Sequence, residues 1–145
     1  MNHKALLFLL SAVLLAISPL RAASATTITH YTEQKKSAAV IRITDELRIV
    51  LPPGVGANKD MEWQIISNDA RVLRVVSSPR PATVGEKIGV GEDEKPITVP
   101  AGSWATTFLA LRPGRSVIRY VYINPNGGPV VTPSDTREIV VTVNG

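Results

Sequence analysis

Few side chains of this sequence have the type and spacing that chemistry requires. Beyond the first 25 residues there is one histidine, His30, and the chain has no cysteine. A Ser–His–acid triad would have to draw that imidazole out of a polar N-terminal stretch into a packed site, and no G-x-S-x-G turn is present to hold a serine. A catalytic zinc needs three converging His, Asp or Glu ligands, and no H-E-x-x-H or comparable spacing occurs. Gly54-Val55-Gly56 and Gly89-Val90-Gly91 contain two glycines each. Neither continues into Gly-Lys-Ser/Thr nor leads into a helical pattern, so neither is a phosphate cradle. The carboxylates of Asp45/Glu46 and Glu92-Asp93-Glu94 fall in turns, and the second group lacks the alternating oxygen ligands of a calcium loop. These residues point away from an enzyme and away from any cofactor or metal. They leave a protein that acts by binding.

The beginning of the chain bears on where it acts. Lys4 precedes an apolar run from Ala5 to Ile17, then Ser18-Pro19, then Ala23-Ser24-Ala25. That order predicts a secretory signal peptide over residues 1–25, cleaved to leave Thr26 first. The run is shorter than the roughly 20 apolar residues that span a bilayer, and it ends in a proline, so no membrane span is expected once it is removed. No cysteine stands at the cleavage site to carry a lipid. A secreted or periplasmic location follows as an expectation.

Removing the signal changes the charge. The whole chain has 16 Lys+Arg against 12 Asp+Glu; Lys4 and Arg21 leave with the signal, so 14 face 12. No basic cluster interleaved with aromatics remains, which argues against a nucleic-acid partner. The remaining length fits one domain with one core, stabilised by burial without disulfides.

The elements follow from alternation. Residues 26–38, polar and containing Lys35-Lys36, read as a flexible or edge-pairing N-terminal arm ahead of a domain over 39–145. Strands are predicted at Ala39–Ile43, Leu47–Leu51, Met61–Ile65, Val72–Val76, Trp104–Leu111, Val117–Ile123 and Arg137–Val143. Short extended pieces are expected at Lys87-Ile88 and Ile97–Val99. Trp104–Leu111 is apolar on both faces, which suits a central strand or one covered on its outer side. The predicted core is Ile49, Leu51, Trp63, Leu73, Phe108, Ile118, Tyr120, Ile139 and Val141. About seven short strands with turn signals between them argue an all-β, immunoglobulin-like antiparallel β-sandwich. The Pro52-Pro53 loop is too long for a tight hairpin, and such loops on a rigid scaffold commonly carry binding function.

Several of these segments together resemble a known family. Leu47-x-Ile49-x-Leu51-Pro52 with Trp63 beyond the loop, Val72-Leu73-x-Val75, and Thr106-x-Phe108-x-Ala110 before Pro113-Gly114 are similar to the chagasin-like inhibitors of papain-type cysteine proteases. Ile118-x-Tyr120-x-Tyr122 and Ile139-x-Val141-x-Val143 extend the resemblance over roughly Ile43 to Val143. The resemblance implies an immunoglobulin-like fold and a cysteine protease as partner. It also implies three loops at one end that block the protease cleft. Laid on this chain, the first comprises Pro53, Gly54, Val55, Gly56, Ala57, Asn58 and Lys59; the second Pro100, Ala101 and Gly102, with Trp104 just beyond; the third Asn124, Pro125 and Asn126. The family's Asn-Pro-Thr-Thr-Gly motif is not found in the first. Its Gly-x-Gly-Gly motif keeps only its last glycine, Gly102, and its Arg-Pro-aromatic motif keeps only Pro125. The other reading of the same scaffold is a secreted binding module of the cell envelope with a different protein partner.

Overall fold

The computed structural model describes residues 25–90, 96–128 and 132–145, and these form strands without a helix. The strands are β1 (Thr27–Tyr31), β2 (Lys36–Arg42), β3 (Glu46–Leu51), β4 (Glu62–Ser67), β5 (Leu73–Pro81), β6 (Lys87–Val90), β7 (Pro96–Thr98), β8 (Trp104–Ala110), β9 (Gly114–Ile123) and β10 (Asp135–Asn144). Residues 1–24 of the expected signal peptide and Glu92-Asp93-Glu94 lie outside the described residues.

Two four-stranded sheets face one another, in the orders β1-β3-β8-β5 and β2-β10-β9-β4. Alternation decides which residues lie between them. Leu47, Ile49 and Leu51 of β3 point inward with Phe108 of β8 and Leu73 of β5. Opposite them stand Trp63 of β4, Ile118 and Tyr120 of β9, and Ile139 and Val141 of β10. All nine residues expected in the core are at most 2 % exposed. The fold is the β-sandwich that the periodicity implied.

Two features depart from the expectation. Ten strands are present where about seven were expected, and the sandwich is not wholly antiparallel. Beyond the seven, β6 and β7 fall at the short extended pieces expected at Lys87-Ile88 and Ile97–Val99, and β1 is the N-terminal arm in its edge-pairing form. β1 runs parallel to β3 (Thr27 opposite Glu46, Tyr31 opposite Val50), and β2 runs parallel to β10 (Lys36 opposite Glu138, Arg42 opposite Asn144). The stretch 26–38 is thus built into both sheets, β1 at one edge and the start of β2 at the other. The physical reason is that the outer edges of β3 and β10 carry a row of unpaired peptide groups that an extended segment can pair, while Ile28 of β1 packs against the core and Ile41 of β2 joins it. The antiparallel hairpin of β6 and β7 lies over the outer face of the first sheet, where Ile88 and Val99 pack on Val50, with Tyr31, Ile97 and Ala105 alongside. β8 is therefore both central in its sheet and covered on its outer side near Ala105. This explains its apolar character on both faces.

Candidate functional site

Strand register sets which loops share an end of the sandwich. Leu51, the last residue of β3, lies opposite Trp104, the first of β8. Glu62, first in β4, lies opposite Ile123, last in β9. Asp135 opens β10 opposite Tyr122, and Pro81 closes β5 opposite Trp104. The loops 52–61, 82–86, 99–103 and 124–134 therefore all leave from the same end.

The first loop is tied down along its length. The Trp63 indole Nε1–H donates to the Pro52 carbonyl at 2.9 Å, and the Val55 N–H donates to Asp135 Oδ2 at 3.1 Å. Between those bonds Gly54 is buried against the ring of Tyr122, where a Cβ would collide with Cδ1 and Cγ. Gly56 takes a φ of 73°, which costs glycine little, and beyond it Asn58 Oδ1 accepts the Asp60 N–H at 2.9 Å. Asp135 is itself held. Its Oδ1 accepts Arg137 Nη1–H at 2.5 Å and the Thr136 N–H at 2.8 Å, and the Arg137 guanidinium sits 5.3 Å from the Trp63 ring centroid. Burial by itself would push the Asp135 carboxyl up. The hydrogen bonds from Arg137, Val55 and Thr136, with the guanidinium charge, outweigh it and hold the carboxyl below its ordinary value.

A groove of about 510 Å³ opens between the first loop and its neighbours. Pro53, Ala57, Met61, Val84, Ala101 and Trp104 give it a largely apolar lining, with Lys59 among the residues around it. Gly102, at a φ of 79°, lies so near the first loop that a Cβ there would be 2.9 Å from Pro53 Cγ. On the other side, the Ala82 N–H donates to the Ser103 carbonyl at 2.8 Å, and Arg48 grips Glu86 through two bonds of 2.7 Å. These contacts brace the 82–86 segment that carries Val84. In the third loop, Asn124 Oδ1 accepts the Asn126 N–H at 2.9 Å, and the Gly127 N–H donates to the Asn124 carbonyl at 3.1 Å, closing a tight turn.

The residues expected at the site divide into groups. Pro53, Ala57, Asn58, Lys59, Ala101, Gly102 and Trp104 line the groove together. Val55 and Gly56 are exposed beside it. Gly54 is not presented: it packs beneath the loop, because only a residue without a side chain fits against Tyr122. Pro100 is half-buried, and its carbonyl accepts the Ser103 N–H at 3.3 Å. Asn124, Pro125 and Asn126 stand at the same end but outside the groove, and Pro129 lies outside the described residues. Sequence reasoning missed Pro81, Ala82 and Val84, which lie in a stretch too irregular to assign. It also missed Asp135 and Arg137. Their signal was present, since 135 and 137 share the inward parity of Ile139, Val141 and Val143, and a charged pair on that face needs a reason.

His30, the sole imidazole among the described residues, accepts or donates a hydrogen bond with Ser37 Oγ at 3.0 Å. Burial lowers its pKa, and no carboxylate is bonded to the ring among the described residues. The pair links β1 to β2 across the edges of the two sheets, with His30 opposite Ile49 and Ser37 opposite Ile139. Among the described residues no three His, Cys, Asp or Glu side chains gather as a metal would require.

No family model and no curated protein matches the chain. Solved structures do. The cysteine protease inhibitor EhICP2 from Entamoeba histolytica superposes with a TM-score of 0.54 at 12% identity, over 85% of this chain and 100% of that one. Amebosin follows at a TM-score of 0.48 and 15% identity, over 82% of this chain and 98% of its own. PbICP-C, solved in complex with falcipain-2, follows at 0.44 and 17%, over 83% of this chain and 100% of its own. The first of these likenesses shows the fold. The β-sandwich of this chain is the fold of EhICP2, in line with the immunoglobulin-like fold that the resemblance of its strands implied.

Proposed function

We propose that this chain is a non-catalytic protein inhibitor of papain-type cysteine proteases, exported by its N-terminal segment and acting by occlusion. The exposed residues of the segments Pro53 to Asp60, Val99 to Trp104 and Asn124 to Pro129 together would cover the protease cleft. One observation carries the reading: the Pro- and Gly-bearing loops leave one end of the sandwich, the first tied to β10 by Val55–Asp135 and set close against the second at Pro53 and Gly102. A surface held in shape before binding loses little entropy on association, and glycine and proline let backbone approach a catalytic groove closely. That EhICP2 is a cysteine protease inhibitor supports the same reading. Titrating the chain from Thr26 onward into papain tests it. Stoichiometric loss of activity with the inhibitor uncut is expected, and no inhibition at micromolar concentration would exclude it.

The alternative is an exported immunoglobulin-like binding module with a different protein partner in the cell envelope. Two observations favour it. The loops lack the family's Thr, Gly-Gly and aromatic contacts, and side chains of that kind usually carry most of an interface's energy. The edge strand β2 also exposes Val40 at 64%. Recovery of a non-protease partner from the same compartment, together with no effect on papain, would select this reading.

A further inference from the structure

We propose that Asp135 is a positioning residue, which fixes the first loop in the shape that meets a partner. This role deepens the inhibitor reading and rests on it only where inhibition is measured.

Asp135 places a charge where an apolar side chain would be expected. Asp135 opens β10 on its inward face, in line with Arg137, Ile139, Val141 and Val143. The Asp135 and Arg137 side chains are only 1% and 8% exposed. Removing two charges from water largely offsets their attraction, so a buried ion pair contributes little that a packed apolar pair would not. What the carboxylate adds is a second oxygen. Oδ1 is taken by Arg137 and Thr136, while Oδ2 accepts the Val55 N–H from a residue 80 positions away. The same Arg137 stacks over Trp63, whose indole holds the Pro52 carbonyl.

The segment Pro52-Pro53-Gly54-Val55 is therefore gripped at both ends by one buried ring of groups. The two prolines fix φ within it, and Gly54 seats it against Tyr122. Asp135 is also the first residue of β10, so a single carboxylate ties the first loop to the start of that strand. Its bonds are charge-assisted, and such bonds are the strong ones. A loop that leaves its binding shape for part of the time weakens the apparent affinity in proportion to that fraction.

Amide hydrogen exchange at Val55 tests this in the wild-type chain and in Asp135→Asn, with thermal midpoint and papain inhibition measured on the same samples. Val143→Ala is the control, because Val143 is buried at the opposite end of β10, beside Gly114 and Ile41. Asp135→Asn is expected to speed exchange at Val55 about tenfold or more, leave amides inside β9 unchanged, and raise the inhibition constant in parallel. Val143→Ala is expected to lower the midpoint while leaving exchange at Val55 and inhibition as they were. Should Asp135→Asn fail to fold, Asp135→Glu keeps the charge beside Arg137 while displacing the oxygens, and the same acceleration is expected. Unchanged exchange at Val55, or an equal acceleration in Val143→Ala, overturns the role. Accelerated exchange at Val55 with a wild-type chain that leaves papain active rejects the inhibitor reading and upholds the positioning role.

Discussion

Gly54 lies flat against the ring of Tyr122, so closely that a side-chain carbon at position 54 would strike the ring. The first loop thereby rests directly on the end of the hydrophobic core, since Tyr122 packs in turn on Trp63 with centroids 4.9 Å apart. Gly54→Ala must displace either the ring or the loop. Forcing extra carbon into a packed site costs about 1–3 kcal/mol. Thermal unfolding is expected to show a midpoint several degrees lower, and an unchanged midpoint would show the contact to be soft.

Trp63 and Phe108 fill the centre of the sandwich from opposite sheets, at 1% and 0% exposure. Truncating a buried Trp or Phe to Ala costs roughly 3–5 kcal/mol, a large part of a small domain's stability. Trp63→Ala and Phe108→Ala are each expected to lose cooperative unfolding, as read by near-ultraviolet circular dichroism. Trp63→Ala removes in addition the donor to Pro52 and the face beneath Arg137.

Acid is expected to weaken the Asp135 network in a defined direction. The folded carboxyl lies below its ordinary value, so its contribution is complete above the ordinary carboxylate range of about pH 4 and is lost as pH falls through the folded value. Melting curves of wild type and Asp135→Asn should differ by a constant amount from neutral pH down to about pH 4, and converge below it. A gap that persists unchanged into strong acid would mean that ionisation of Asp135 contributes nothing.

If the loops meet a protease, Trp104 is the large side chain in the groove wall best placed to anchor it. Trp104→Ala is expected to weaken inhibition of papain by about thirtyfold, the equivalent of roughly 2 kcal/mol, and Pro125→Ala by less. Inhibition constants decide it. Equal potency of both variants with wild type would remove these two residues from the contact surface.

Export carries its own check. Intact mass of the secreted protein is expected to correspond to a chain beginning at Thr26, since Ala23 and Ala25 occupy both small-residue recognition positions. A mature terminus upstream of Ala22, or retention in the membrane, would contradict the signal reading.

Taken alone, the sequence determined the sandwich and its core. A strand repeats every two residues, so Ile49, Leu51, Phe108, Ile118 and Ile139 declare their face locally, whatever lies opposite. The turn signals at Asn124 to Gly128 and at Thr44-Asp45 were legible for the same local reason, and Thr44 does take a φ of 73°. For the N-terminal arm, edge pairing was one of two readings the sequence allowed, and which edges it joins was not legible. β1 and the start of β2 join the edges of β3 and β10 through peptide groups that every residue possesses, and side-chain pattern does not record which edge is taken. Nor did the sequence reveal that Val84 shares a groove with Pro53, that Gly54 is filler beneath the loop, or that Asp135 holds Val55. Those relations join residues tens of positions apart. Strand register and the packing of one sheet on the other decided them, because a hydrogen bond needs two groups within about 3 Å and a linear chain does not record that distance.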